Sequence, residues 1–238
     1  MLIPISYPLN REIPLYPGTE PLTITPVKTF KEGDVEEKSL ITFSSHAGTH
    51  IDLPRHFCPG GGTVRALLAP EAVFAPARCI EILRTGEEPV RIHDLLPHLD
   101  VVRNARALFV KTGNGRLRES DPEAYAKRHP WVHHEVPGFL RMQNPALRLF
   151  GIDTISIATP ANPGEGREAH RAFLCNHPHI FLLEDVDLSY GRLLGEPWIL
   201  RLYPVVFDDL EGVPVVALAE FERTAEQSGP WIKYEGTG

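Results

Sequence analysis

Apolar residues along this chain gather in short dense runs rather than in long stripes. Leu40–Phe43, Arg78–Leu83, Ala107–Lys111, Leu149–Ile157, Ile180–Leu183, Ile199–Phe207 and Val213–Leu218 are rich in β-branched and large apolar side chains and end in turn formers. Runs of that kind predict strands. Ala107–Val110 is apolar at every position and Arg78–Leu83 alternates only in part, so some strands should be buried on both faces. Helical signals are fewer. Asp121-Pro122-Glu123 places a capping carboxylate before a first-turn proline and predicts a helix to about Lys127. Val136–Arg148, interrupted by Pro145, and Glu168–Asn176 are two further candidates. The pattern predicts an α/β chain, an α+β mixture rich in strands. The 23 prolines and 19 glycines are scattered, and no repeat or linker divides the chain, so residues 1–238 are read as a single domain.

Composition narrows the function. A net charge of -7 argues against nucleic acid, because phosphate contacts need clustered Lys and Arg. A small-molecule substrate is the better expectation. No apolar run approaches the ~20 residues that a membrane span requires. Met1-Leu2-Ile3-Pro4-Ile5-Ser6 lacks the basic start and apolar stretch of a secretory leader, so a cytoplasmic setting is expected. Cys58, Cys79 and Cys175 form no CxxC pair. That spacing favours a reducing compartment, argues against disulfides and a cysteine zinc site, and leaves buried packing as the cysteines' role.

The chemistry concentrates in His46-Ala47-Gly48-Thr49-His50-Ile51-Asp52-Leu53-Pro54-Arg55-His56. Gly48 and Pro54 rule against a continuous helix, so the segment reads as a loop with extended stretches. Residues two apart on an extended stretch share a side, which lets His50 and Asp52 converge. A turn at Gly48 would bring His46 to the same point. Imidazole and carboxylate together suit zinc, manganese or ferrous iron. Three histidines and one aspartate within eleven residues exceed what a loop of ordinary surface histidines supplies.

This pattern, HxGTHxDxPxH, resembles the signature of the cyclase family, which includes bacterial kynurenine formamidases and isatin hydrolases. Weaker elements follow in family order. Leu15-Tyr16-Pro17-Gly18 resembles the WPG element, Phe109-Val110-Lys111-Thr112-Gly113 the KTG strand, and Phe150-Gly151-Ile152-Asp153-Thr154-Ile155-Ser156 the GIDxxS segment. His170 and Leu183-Glu184-Asp185 resemble the later His and Glu, with Asp185-Val186 where the family has Asn-Leu.

The resemblance implies a swivelling β/β/α fold and a homodimer or homotetramer. It also implies one or two divalent metals, zinc or alternatively manganese, at the site. Carried over residue by residue, His46 and His50 would bind the first metal and His170 the second. Asp52 and Glu184 would contact both, and His56 would act as general acid/base. The implied reaction is hydrolysis of an amide in an aryl formamide or cyclic amide. Tyr16 stands where the formamidases carry a substrate-contacting Trp, and Asn114-Gly115-Arg116 follow KTG where an aromatic residue is common. His133 and His134, adjacent in a presumed strand, should point apart. His177 and His179 read as part of a turn, and His93, His98 and His129 as surface residues. Two rivals remain: a non-haem iron enzyme using His46, His50 and Asp52 as a facial triad, and a non-catalytic metal or small-molecule binding protein.

Overall fold

The computed structural model describes residues 1–67 and 72–222. Among them are twelve strands: β1 (Leu2–Pro4), β2 (Thr23–Lys28), β3 (Lys38–Thr42), β4 (His50–Asp52), β5 (Val73–Glu81), β6 (Pro89–Val90), β7 (Ala107–Lys111), β8 (Trp131–Val132), β9 (Leu149–Ile152), β10 (Phe181–Glu184), β11 (Trp198–Pro204) and β12 (Gly212–Glu220). Eight form one sheet in the order β1-β12-β11-β5-β7-β9-β10-β4. Because β4 also pairs with β12, strands β12 to β4 close into a barrel.

Strands β5, β7, β9 and β10 are parallel, and parallel neighbours need long crossovers. Those crossovers hold α1 (Ile92–Leu95), α2 (Leu99–Arg103), α3 (Leu117–Ser120), α4 (Pro122–Lys127), α5 (Val136–Gln143) and α6 (Pro163–Leu174). A short α7 (Arg192–Gly195) follows β10. Side-chain alternation sorts the strands between two cores. Ile51, Cys79, Phe109, Leu183 and Leu200 share one cluster with Trp198. Leu108, Val110, Phe150 and Leu182 face the other, which Leu140, Phe173 and Leu174 of the helices complete. The burial of β7 and β9 on both faces follows from this double cover.

The elements deviate from the sequence pattern where side chains interrupt the ladder. The run Leu149–Ile157 stops being strand after Ile152. There the Asp153 carboxylate turns to accept the Thr112 N–H (2.7 Å), the Thr112 hydroxyl (2.6 Å) and the Gly113 N–H (2.9 Å). The helix expected from Glu168 begins at Pro163, with the Asn162 side chain accepting the Glu165 N–H at 3.3 Å. The helix expected to Arg148 ends at Gln143, where the Asn144 side chain donates to the carbonyls of Val102 and Ala105.

One expectation is overturned. Cys58 and Cys175 form a disulfide with their Cα atoms 5.6 Å apart; only Cys79 is a free buried thiol. A separation of 117 residues hides the pair in the sequence. Cys58 follows the Pro54–His56 turn and Cys175 caps α6, and the fold lays those two ends together. Among the described residues no helix is long and apolar enough to cross a membrane. Among the described residues, strands β2 and β3 pair only with each other. They leave Val27, Phe30, Val35, Leu40 and Ile41 of their hairpin exposed.

Candidate metal centre

Register builds the centre. Strand β4 runs antiparallel to β10, with His50 opposite Glu184 and Asp52 opposite Leu182. Opposed residues on one face lie about 5 Å apart at Cβ. His50, Asp52 and Glu184 therefore share the face of Leu182, towards the helices, while Ile51 and Leu183 point into the other core. Helix α6 covers that face and contributes buried His170. Gly48, at φ +64, makes the turn that folds His46 back over β4. Gly212 of β12 is the seat for its ring: a Cβ there would come within 2.9 Å of His46 Cε1.

The donors fall into two groups around the same carboxylates. His46 Nδ1 and His50 Nε2 lie 2.8 and 3.3 Å from Asp52 Oδ1, and His50 Nε2 lies 3.5 Å from Glu184 Oε2. His170 Nε2 lies 3.6 Å from the other oxygens, Asp52 Oδ2 and Glu184 Oε1. All but the 2.8 Å contact of His46 are long for hydrogen bonds. They match donors placed tetrahedrally about a cation at ~2.1 Å, which sit about 3.4 Å from one another. Both carboxylate oxygens of Asp52 are buried without a well-formed hydrogen bond. Such groups ordinarily cost several kcal/mol unless something compensates them.

Each histidine is held from behind. His50 Nδ1 is 2.9 Å from the Gly48 carbonyl, and His170 Nδ1 is 2.7 Å from that of Gly166. Donation from each Nδ1–H would turn the Nε2 lone pair towards the carboxylates, the usual support of a metal-binding imidazole. His46 uses the opposite nitrogen, with Nε2 3.2 Å from Glu211, a carboxylate that also accepts the Ser45 hydroxyl at 2.6 Å. Glu184 Oε1 accepts the Ile157 N–H (2.7 Å) and the Ser156 hydroxyl (3.1 Å).

Charge balance without a cation is kept by protons. Burial opposes a charge on His50, yet the Asp52 and Glu184 carboxylates lift its pKa well above the usual range. His170 is raised for the same reasons. Burial opposes ionisation of Asp52, but His46 and His50 hold it well below the usual carboxylate range. Glu184 is lowered too, against burial and Asp52, by His170 and His50. A cation would replace those protons, so its affinity must fall as pH falls.

The family model described as "Putative cyclase" matches residues 3–159. The chain belongs to the cyclase family. A kynurenine formamidase of Bacillus cereus is 30% identical over 217 residues, covering 91% of this chain and 95% of that relative. Isatin hydrolase A from Ralstonia solanacearum superposes with a TM-score of 0.73 at 15% identity, covering 92% of this chain and 91% of that one. A structure described as a predicted metal-dependent hydrolase from Bacillus stearothermophilus does so at 0.72 and 19%, covering 92% and 97%. At those identities the structures share the fold.

In this cyclase-family site the donors line a cavity of about 360 Å³, together with His56, Tyr16, Phe57, Ile155 and Arg167. His56 stands beside the donor groups, its ring 4.2 Å from that of His46 and 5.8 Å from that of His170. The Pro54–His56 turn holds it, and the Cys58–Cys175 disulfide ties that turn to the end of α6. Burial, outweighing the pull of Asp52, pushes its pKa down to about 4. Tyr16 is half-buried, and burial and then Glu184 raise its phenol above the usual value.

Other histidines settle elsewhere. His129, expected at the surface, is fully buried, with its ring 6.3 Å from Tyr16 and edge-on to it. It lies two residues beyond the end of α4, where Ala124, Tyr125 and Ala126 turn inward and draw the chain with them. His133 and His134 do not point apart, because β8 ends at Val132; their rings stack at 4.4 Å, away from the centre. His177 and His179 precede β10 and face each other at 4.0 Å.

A second set of functional neighbours carries no motif. Asp185, at φ +53, accepts both arms of Arg118 at 2.8 Å and the Tyr125 hydroxyl at 2.5 Å. Arg118 in turn lies 3.9 Å over the Tyr7 ring. The Asp185 carbonyl accepts the Thr49 hydroxyl at 2.5 Å, which joins the residue after Glu184 to the residue before His50. Arg118 and Glu211 are single charged residues far from the histidine segment, and only the folded chain brings them in.

Proposed function

We propose that this site hydrolyses the amide of an aryl formamide or cyclic aryl amide, using two divalent cations, zinc or manganese. His46, His50, Asp52, His170 and Glu184 would hold them. The observation that carries the reading is the split of the two carboxylates. Asp52 Oδ1 and Glu184 Oε2 face His50, with His46 also at Asp52 Oδ1, whereas Asp52 Oδ2 and Glu184 Oε1 face His170. Cations bound there would supply Lewis acidity, activating water at neutral pH and polarising the carbonyl.

The chain supplies the rest. With its pKa near 4, His56 is neutral at neutral pH and enters the reaction as a base. It takes the proton of the attacking water and returns it to the amide nitrogen as the C–N bond breaks. Tyr16 keeps its phenol proton, so it offers a donor as well as a ring face to an aryl substrate. A cavity of about 360 Å³ admits one aryl ring with a short side chain.

Similarity to a kynurenine formamidase and to isatin hydrolases supports this substrate class. The test is metal content of the purified protein, followed by turnover of N-formylkynurenine, isatin and simple lactones. Fewer than one bound metal per chain, with no activity restored by zinc or manganese, would overturn the reading. A homodimer or homotetramer is proposed as well, supported by the exposed apolar hairpin of β2 and β3, and light scattering decides it. The proposed cytoplasmic setting is tested by trapping thiols in intact cells. There Cys58 and Cys175 should be alkylated, and a retained disulfide would place the protein in an oxidising compartment.

A further inference from the structure

Outside the centre, a second group of metal-type donors meets at the start of α6. Strand β8 ends at Val132, and the turn after it sets the rings of His133 and His134 face to face, 4.4 Å apart. Glu165, in the first turn of α6, reaches across to them. Its Oε1 lies 2.5 Å from His134 Nδ1 and 3.8 Å from His133 Nε2, and one donor atom from each residue falls within 4.8 Å of the others. The remaining His133 nitrogen, Nδ1, accepts the Glu135 backbone N–H at 3.4 Å and lies 3.5 Å from the Glu135 carboxylate. His134 is exposed, which leaves coordination positions open to water.

We propose that His133, His134 and Glu165 form a second, peripheral metal site selective for zinc-class dications. Two imidazoles and one carboxylate suit zinc, nickel or copper and not magnesium or calcium. Around a cation at ~2.1 Å the donors would settle about 3.4 Å apart, so the shorter edge opens and the longer one closes. The exposed His134 ring is free to make that adjustment. On binding, the cation sits between His134 Nδ1 and Glu165 Oε1, and the single proton of the neutral ring is carried on the exposed Nε2. Glu165 Oε1 keeps its bond from the His134 backbone N–H, at 3.0 Å. The bound ion would clamp the first turn of α6 to the 131–135 segment. That turn also lines the catalytic cavity through Pro163 and Gly166, and the same helix carries His170.

The test uses the full chain, stripped with a chelator and dialysed against zinc alone, with bound metal counted by mass spectrometry. His134→Ala and Glu165→Gln should each bind one zinc per chain fewer than the wild type and keep its kcat. Asp52→Asn, which disables the central site, should retain the peripheral equivalent, and adding His134→Ala should remove it. The Asp52→Asn protein should also melt several degrees higher in excess zinc but not in excess magnesium, and the added His134→Ala should abolish that rise. Equal zinc counts in wild type, His134→Ala and Glu165→Gln would overturn the proposal, as would equal stabilisation by magnesium. Failure of the central centre alone would instead empty the wild type down to the one equivalent that His134→Ala removes.

Discussion

Glu184 and Asp185 are neighbours in sequence, both buried, and their surroundings are opposite in kind. Asp185 is saturated: Arg118 fills both oxygens, Tyr125 adds a hydroxyl, and the aromatic face of Tyr7 covers the guanidinium. Glu184 and its companion Asp52 are surrounded by imidazoles at 2.8 to 3.6 Å, and Asp52 lacks any well-formed hydrogen bond. A fixed internal cation makes the first cluster a scaffold. The absence of one leaves the second open to the external cation proposed above. The charges are alike in both, so it is the unfilled acceptors that mark the site.

The comparison breaks most severely if the receptor loses its charge. Asp52→Asn should lower kcat/KM by at least ~10³-fold, because both donor groups lose a shared ligand. Chelation should lower the wild-type melting temperature by roughly 5–10 °C, as expected for loss of a ligand held at ~100 times its Kd. Compared in a His134→Ala background, which removes the proposed peripheral site, Asp52→Asn should show almost none of that shift, read by differential scanning calorimetry with and without chelator. An equal shift in both proteins would deny that Asp52 belongs to the receptor.

Breaking the scaffold should act differently. Arg118→Met leaves Asp185 buried and unpaired, which costs roughly 3–5 kcal/mol. Thr49 and Glu184 flank that network, so zinc affinity should also fall, by about 10- to 100-fold. At saturating zinc, however, kcat should recover, and competition titration against a chromophoric chelator separates the two effects. Loss of kcat that no zinc concentration restores would make Arg118 part of the chemistry instead.

A smaller effect follows from His56. Its folded pKa, about 4, lies below the ordinary 6.5, so the unfolded chain takes up this proton first as pH falls. The associated stability is fully present above 6.5 and is lost as pH falls through 4, by up to roughly 3 kcal/mol. In metal-free protein, His56→Gln should therefore gain on the wild type in melting temperature between neutral pH and pH ~4. The other titrating groups are common to both proteins. A constant difference across that range would show that His56 is not held neutral by burial.

How much of this contrast was legible in the sequence depended on distance along the chain. His46, His50 and Asp52 lie within seven residues, and local geometry alone (a glycine turn and the two-residue period of a strand) predicts their convergence. Strand Ala107–Lys111 and the helix opening at Pro122 were equally local, set by an apolar run and by an aspartate before proline. Glu184 and His170 were reached through family resemblance, because only the β4–β10 register brings Glu184 opposite His50. The Cys58–Cys175 pair and the Arg118–Asp185 pair left no local trace; burial and strand order create them. His129 was misjudged because a polar residue after a short helix carries no sign of which way the chain turns next.

The smallest expected effect concerns Tyr16, the position where this chain leaves the formamidase pattern. Its ring borders the cavity beside the donors and meets His129 edge-on, so substitutions there alter substrate contact without touching either charged cluster. Tyr16→Trp enlarges the aromatic face, and an added aromatic contact contributes about 0.5–1.5 kcal/mol. KM for N-formylkynurenine should then fall by roughly 2- to 10-fold with kcat nearly unchanged, the signature of binding shared by ground and transition states. Tyr16→Phe keeps the ring and removes the donor. If the phenol bonds only to bound substrate, KM should rise by a few-fold and kcat should hold. A fall in kcat with KM unchanged would instead mean that the Tyr16 proton is used in the transition state, and would move this residue from the wall of the cavity into the reaction beside His56.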